Sequence, residues 1–257
     1  MSDTAEALRA VRRSHDELAA LAGRLEASDL VRPSYCSEWS IAQVFSHLGS
    51  QADIFSLFVA AGLGDGDAPD QSVFPPIWDA WNARSPEAQV ADSVAANEQF
   101  VTHLEGLGEE RLAGFRLQLY GMDLDATRLL LMRLAEHALH SWDVAVALDP
   151  AARVAPDSVE QLVDGVTQIA SRAGKPAERS ATIAITTSDP ERQFVLVTDG
   201  VSLEPGTAAD PSGSLDLPAE GLLRLVYGRL DAALPAAEPM SADGITLDEL
   251  RAIFPGV

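Results

Sequence analysis

The sequence predicts an α+β protein of two domains: a four-helix bundle over residues 1–150 and a small α+β domain with an antiparallel sheet over 151–257. Three observations carry this. Apolar residues recur at helical spacing through four long segments of the first 150 residues. At Asp149-Pro150 the pattern changes, and short β-branched, alternating stretches such as ATIAITT (181–187) and QFVLVT (193–198) follow. The composition, 47% apolar and 22% charged over 257 residues, is that of a folded globular protein large enough for two cores.

Helix one is expected over 4–27, where Leu8, Val11, Leu18, Leu21 and Leu25 form one face. His15 lies on it and is read as exposed or capping. Residues 28–39 form a connection broken by Pro33. Ser40 opens helix two, to about Ala61, with Gln43 three residues on completing a capping box. His47 shares a largely apolar face there with Val44, Gln51, Ile54 and Phe58. Residues 62–86, dense in Gly, Asp and Pro, read as a long loop in which Trp78 and Trp81 either cover a cavity or anchor the chain. Helix three is expected over 87–106, with His103 near its end, where the helix dipole favours a positively polarised group.

Helix four, 125–148, contains no Gly or Pro and is rich in Leu, Ala, Met and Arg. At 3.6 residues per turn, Glu136 and His140 lie about 40° apart on it, and Asp143 about 20° to the other side of Glu136. Leu129, Met132 and Ala147 share that stripe. His137 points about 100° away.

In the second domain, residues 157–173 read as a helix capped by Asp157. Asp199-Gly200 signals a two-residue hairpin before VSLEP. Residues 213–217 read as a further strand, 219–230 as a helix stopped by Gly228, and Asp243-Gly244 as a turn. Thr246 and Glu249 make a capping box for a last short helix.

The charge of −21 repels phosphate, so nucleic acid and anionic membrane are poor partners. One cysteine, Cys36, rules out an internal disulfide or a Cys-rich zinc site and reads as structural. No signal peptide or run of about 18 apolar residues is seen, so a cytoplasmic protein is expected. G-x-S-x-G, Walker A and G-x-G-x-x-G motifs are missing.

A carboxylate and an imidazole one turn apart can share a divalent cation, and a third ligand must come from a facing helix. His47 of helix two with Glu136 and His140 of helix four supplies two imidazoles and a carboxylate, a set that suits Zn²⁺ and also Fe²⁺, Co²⁺ or Ni²⁺. The spacing also allows Glu136 to pair with Arg133, and Asp143 either to orient His140 or to be solvated.

Two blocks, YCSEWSIAQVFSHL (35–48) and LAEHALHSWDVAVAL (134–148), resemble the signature blocks of the mycothiol-dependent maleylpyruvate isomerase family. Ser37 and Glu38 stand where that family commonly has Pro and Gly. The resemblance implies a DinB-like metal-binding bundle followed by a smaller α+β domain. It implies a divalent metal, usually zinc, on His47, Glu136 and His140. It also implies mycothiol as thiol cosubstrate, a small electrophilic substrate, and an arginine, matched by Arg229 after Gly228, in a cleft between domains. From the residues alone, a surface Arg229 paired with Asp231 or Glu220 is the favoured reading. The expected function is isomerisation or S-transfer with a low-molecular-weight thiol. Oxidative chemistry on a non-haem metal and a non-catalytic zinc-binding regulator are the alternatives, and the oligomeric state is open.

Overall fold

The computed structural model describes residues 3–36, 38–230 and 240–256. Ser37 and Asp231 lie outside the described residues. The chain divides into two compact units, Met1–Ala152 and Arg153–Val257.

Four long helices build the first unit: α1 (Asp3–Ala22), α3 (Ile41–Gly62), α5 (Pro86–Ala113) and α6 (Ala126–Leu148). Helix α3 packs on α5 and α6, and α1 packs on α6 and α5. Their apolar faces meet in a core that includes Leu18, Ile41, Val44, Phe45, Leu48 and Val144. Ser40 starts α3 as its spacing predicts: its hydroxyl accepts from Gln43 N–H while its own N–H donates to Gln43 Oε1. Asp125 caps α6 by accepting from Arg128 N–H at 2.8 Å.

The expected connections hold more structure than their composition suggests. A single turn, α2 (Ala27–Leu30), interrupts the first of them. The Gly/Asp/Pro-rich stretch contains a 3₁₀ turn at Gln71–Val73 and a helix, α4 (Phe74–Asn82), with proline in its first turn, where a missing N–H costs nothing. Trp81 anchors α4 to α3: it is buried, its Nε1–H donates to Asp53 Oδ2 at 2.7 Å, and its ring fills the space beside Gly49. Trp78 is 40% exposed. Helix α5 runs past the expected end but is broken at Gly108, where φ is 76°. A hairpin, β1 (Leu117–Leu119) and β2 (Met122–Leu124), turns through Tyr120 and Gly121, both at positive φ as a tight right-twisted hairpin requires.

The second unit is a five-stranded sheet in the order β5-β4-β3-β6-β7. Its strands are β3 (Thr182–Ser188), β4 (Arg192–Val197), β5 (Ser202–Pro205), β6 (Gly213–Pro218) and β7 (Ser241–Asp243). Neighbours are antiparallel except β3 and β6, which run parallel. The β4–β5 link is a four-residue loop, not the two-residue turn expected at Asp199-Gly200: Val197 pairs with Ser202, and Val201 takes the left-handed conformation. The expected helix 157–173 is α7 (Pro156–Leu162), a 3₁₀ turn and α8 (Val166–Ala173). Its N-cap is Ala155 rather than Asp157, because Pro156 occupies the first helical position. Helix α9 (Ala219–Val226) is followed by α10 (Leu247–Ile253), which starts with the Thr246–Glu249 capping box. Among the described residues no helix is long and apolar enough to cross a membrane.

Candidate metal centre

The caps of α3 and α6 fix the phase of both helices, so His47 projects towards Glu136 and His140. His47 Nε2 lies 3.0 Å from Glu136 Oε2, and His140 Nε2 lies 3.8 Å from the same oxygen. Ligand atoms of all three lie within 4.8 Å of one another. Donors about 2.1 Å from a common tetrahedral centre stand ~3.4 Å apart, so the group matches the spacing a Zn²⁺-sized cation needs.

The protonation states suit a cation as well. Burial alone acts to raise the Glu136 carboxyl, but the His47 hydrogen bond and the fields of His47, His140 and Arg133 outweigh it and hold the group at about 2. Burial lowers His47 and favours the neutral imidazole, against the pull of Glu136. A carboxylate beside a neutral imidazole is the form that coordinates metal.

His140 is oriented from behind. Its Nδ1 lies 2.8 Å from Asp143 Oδ2, and Asp143 is fully buried. Hydrogen-bonded through Nδ1, the ring presents Nε2 to the centre. Of the two expected roles for Asp143, orienting His140 is the one its contacts support; it is not solvated. Cys36 adds a contact not legible in the sequence: its S–H donates to Asp143 Oδ2 at 3.1 Å, with His140 Nδ1 3.8 Å away. The segment is held there by Tyr35 N–H donating to the Asp143 carbonyl at 3.1 Å. Trp39 forms an aromatic wall, its ring 5.1 Å from that of His47 and 5.9 Å from that of His140. The E-W-S-I run placing Trp39 just before the Ser40 cap was the available signal for it.

Other sequence candidates fall elsewhere. His137 turns away, as its 100° offset requires, and lies 2.8 Å from Ser14 Oγ through Nδ1. Glu136 does not pair with Arg133, which is buried and bonded to the Leu48 carbonyl and Asn97 instead. His15 is neither exposed nor capping: it is 3% exposed, with Nε2 2.9 Å from Glu98 Oε2. It shares the buried face of α1 with Val11, Ser14 and Leu18, a periodicity that could have revealed it. His15, Asp16 and Glu98 are near enough to suggest a metal group, but the Arg12 guanidinium donates to Glu98 and Glu105 and already neutralises that face. His103 is exposed.

Arg229 belongs to the second unit. Gly228, at φ 71°, ends α9 in a Schellman turn: Arg229 N–H donates to the Arg224 carbonyl and Gly228 N–H to that of Leu225. The Arg229 side chain is buried, with Nη1 donating to the Tyr227 carbonyl at 3.0 Å. Glu220 pairs with Arg224 at 3.4 Å, so the surface pairing of Arg229 with Glu220 is not formed.

The family model for the mycothiol maleylpyruvate isomerase N-terminal domain matches residues 11–145, more than half of the chain. The chain belongs to this family. The match contains His47, Glu136 and His140, and with them Cys36, Trp39 and Asp143. Two solved structures share the fold of the chain. One is a crystal structure of the mycothiol-dependent maleylpyruvate isomerase: TM-score 0.68, 12% identity, covering 91% of this chain and 92% of that one. The other is a crystal structure of a histidine-to-alanine mutant of that isomerase: TM-score 0.65, 12% identity, covering 88% and 90%. No curated protein sequence matches the chain.

Proposed function

We propose that the chain is an enzyme that holds Zn²⁺ on His47, Glu136 and His140 and uses mycothiol to isomerise a small electrophilic substrate. The observation that carries this is the convergence of the three side chains from α3 and α6, with their ligand atoms within 4.8 Å of one another and Asp143 seated behind His140. The family, and the fold shared with a mycothiol-dependent isomerase, support the thiol and the reaction class.

A divalent cation with three protein ligands keeps a position open and lowers the pKa of a thiol bound there, so the nucleophile is available near neutral pH. The protein's own groups prepare that position. Glu136 remains ionised, His47 remains neutral, and the Asp143 carboxylate fixes the face of His140. The Trp39 ring lies against both imidazoles and gives them an apolar neighbour.

The reaction needs no oxidant and no net proton. Thiolate sulfur forms a C–S bond to one carbon of a double bond conjugated to a carbonyl, and the electron pair moves to the carbonyl oxygen. The former double bond is now single and rotates. The pair returns, the C–S bond breaks, and thiolate leaves the isomerised product. If elimination does not follow, the enolate instead takes one proton from solvent at carbon, and the same addition ends in a stable thioether, an S-transfer. We place Arg229 as the group that recognises a carboxylate of the thiol or substrate, since a planar guanidinium offers two parallel charge-assisted hydrogen bonds.

Zn²⁺-loaded protein incubated with maleylpyruvate, with and without mycothiol, tests the reading. Thiol-dependent isomerisation that disappears in Glu136→Ala is expected. Metal-loaded protein that converts neither maleylpyruvate nor other conjugated cis-enones when mycothiol is present would overturn it.

A further inference from the structure

Arg133 sits on α6 one turn before Glu136, on the side facing the bundle core. It is 1% exposed. Its Nη2 donates to the Leu48 carbonyl at 3.1 Å and to Asn97 Oδ1, and Asn97 Nδ2 donates to the same carbonyl at 3.3 Å. Leu48 is the residue after His47. The guanidinium is therefore pinned between α3, α5 and α6, one turn before Glu136 on its own helix and bonded to the carbonyl of the residue after His47. Its carbon lies 5.5 Å from the Phe55 ring centre and 5.8 Å from that of Phe100, within cation–π range.

This guanidinium makes no direct ion pair; the opposite charge that acts on it is that of Glu136, one turn along α6. Among the described residues no carboxylate lies within 4.0 Å of it, and its Nε and Nη1 meet no acceptor. Burial pushes its pKa down to about 10, yet it stays protonated at neutral pH. An unpaired charge in a core is costly, and an apolar side chain of similar volume fills such a position at lower cost. Tying the three helices together does not require a full positive charge. The surroundings feel that charge: it acts to lower Glu136, His47 and His137 alike.

The protein as a whole carries −21, a field that opposes the approach of a thiolate or a carboxylate substrate. We propose that Arg133 is a positioning residue for the anion: its fixed, buried guanidinium, held in no direct ion pair, supplies the local positive potential that draws an anionic thiol to the centre formed by His47, Glu136 and His140. The inference rests on that centre holding a metal. Its signature is a pair of effects of opposite sign. A fixed cation near the site repels a metal ion and attracts an anion, whereas a side chain that only supports packing cannot improve one while weakening the other.

Co²⁺ as the metal and azide as the anion read both effects through the visible spectrum. In Arg133→Met, affinity for Co²⁺ is expected to rise about tenfold, while azide binding to the Co²⁺-loaded protein weakens about tenfold. Arg133→Lys, which keeps the charge, is expected to stay close to wild type in both. If the Met variant does not fold, Asn97→Asp places a carboxylate against the same guanidinium and should move both constants in the same directions. Weaker or unchanged Co²⁺ binding, or unchanged azide binding, in the folded variant would overturn the role of Arg133. A wild-type protein that binds no Co²⁺ would instead overturn the metal centre itself, so the two failures are distinct.

Discussion

Replacing Asp143 by Asn changes one charge behind the centre and leaves the shape nearly intact. Asp143 is fully buried and accepts from the His140 ring at 2.8 Å and from the Cys36 thiol at 3.1 Å. A hydrogen bond to a buried charged acceptor contributes about 1.5–3 kcal/mol, against about 1 kcal/mol for a neutral one. The amide keeps an acceptor for His140 but loses the charge that raises the basicity of Nε2. At 1.4 kcal/mol per factor of ten, Asp143→Asn should weaken Zn²⁺ binding by about tenfold. Asp143→Ala, which loses the bond altogether, should approach about a hundredfold. Competition against a chromophoric chelator measures both dissociation constants. Cys36→Ser, which keeps a donor to Asp143, should change the constant by less than about threefold. Zn²⁺ affinity unchanged in both Asp143→Asn and Asp143→Ala would refute the reasoning that His140 works through Asp143.

Three further predictions follow from other residues. His15 and His137 are held below the ordinary imidazole range, chiefly by burial, so the unfolded chain binds more protons below its pKa of 6.5. The folded state therefore has its full stability above about pH 6.5 and loses it as pH falls; His137→Leu should reduce the loss of Tm between pH 7 and 5, and an unchanged slope would contradict this. Gly49→Ala, normally favourable inside a helix, should destabilise by about 1–3 kcal/mol in urea titration because its Cβ meets the Trp81 ring, and a stabilised variant would show that α4 yields easily. Arg229→Lys should leave Zn²⁺ content unchanged but weaken mycothiol or substrate binding in calorimetry, since an ammonium lacks the guanidinium fork; equal affinities for both would remove Arg229 from recognition.

What could be read from the sequence was what local chemistry determines. Ser40-x-x-Gln43, Thr246-x-x-Glu249 and Gly228 act within a turn of themselves, and each forms the cap or stop its spacing implies. Glu136 and His140 are set by helical periodicity alone, and His47 joins them because its apolar face has to turn inward. The failures share a different cause. Pro75 and Pro76 read as loop residues, although a proline in a first turn also begins a helix, and α4 was hidden behind them. Asp157 matched the preferences of a cap, but Pro156 already occupied the first helical position. Cys36 and Asp143 are 107 residues apart, and only the packing of Tyr35 and Cys36 against α6 makes them neighbours. No periodicity reports such a contact. His15 was misplaced for a simpler reason: a polar side chain on an apolar face was assigned to solvent, when Glu98 of α5 gave it a partner.

The central claim is that three side chains from two helices hold one divalent cation. Elemental analysis after dialysis against Zn²⁺ and removal of excess tests it most directly, on wild type and on His47→Ala, Glu136→Ala, His140→Ala and His137→Leu. The account predicts about one ion per chain in wild type and in His137→Leu, and a sharp loss in each of the other three. Full occupancy in His140→Ala, or none in wild type, would contradict it.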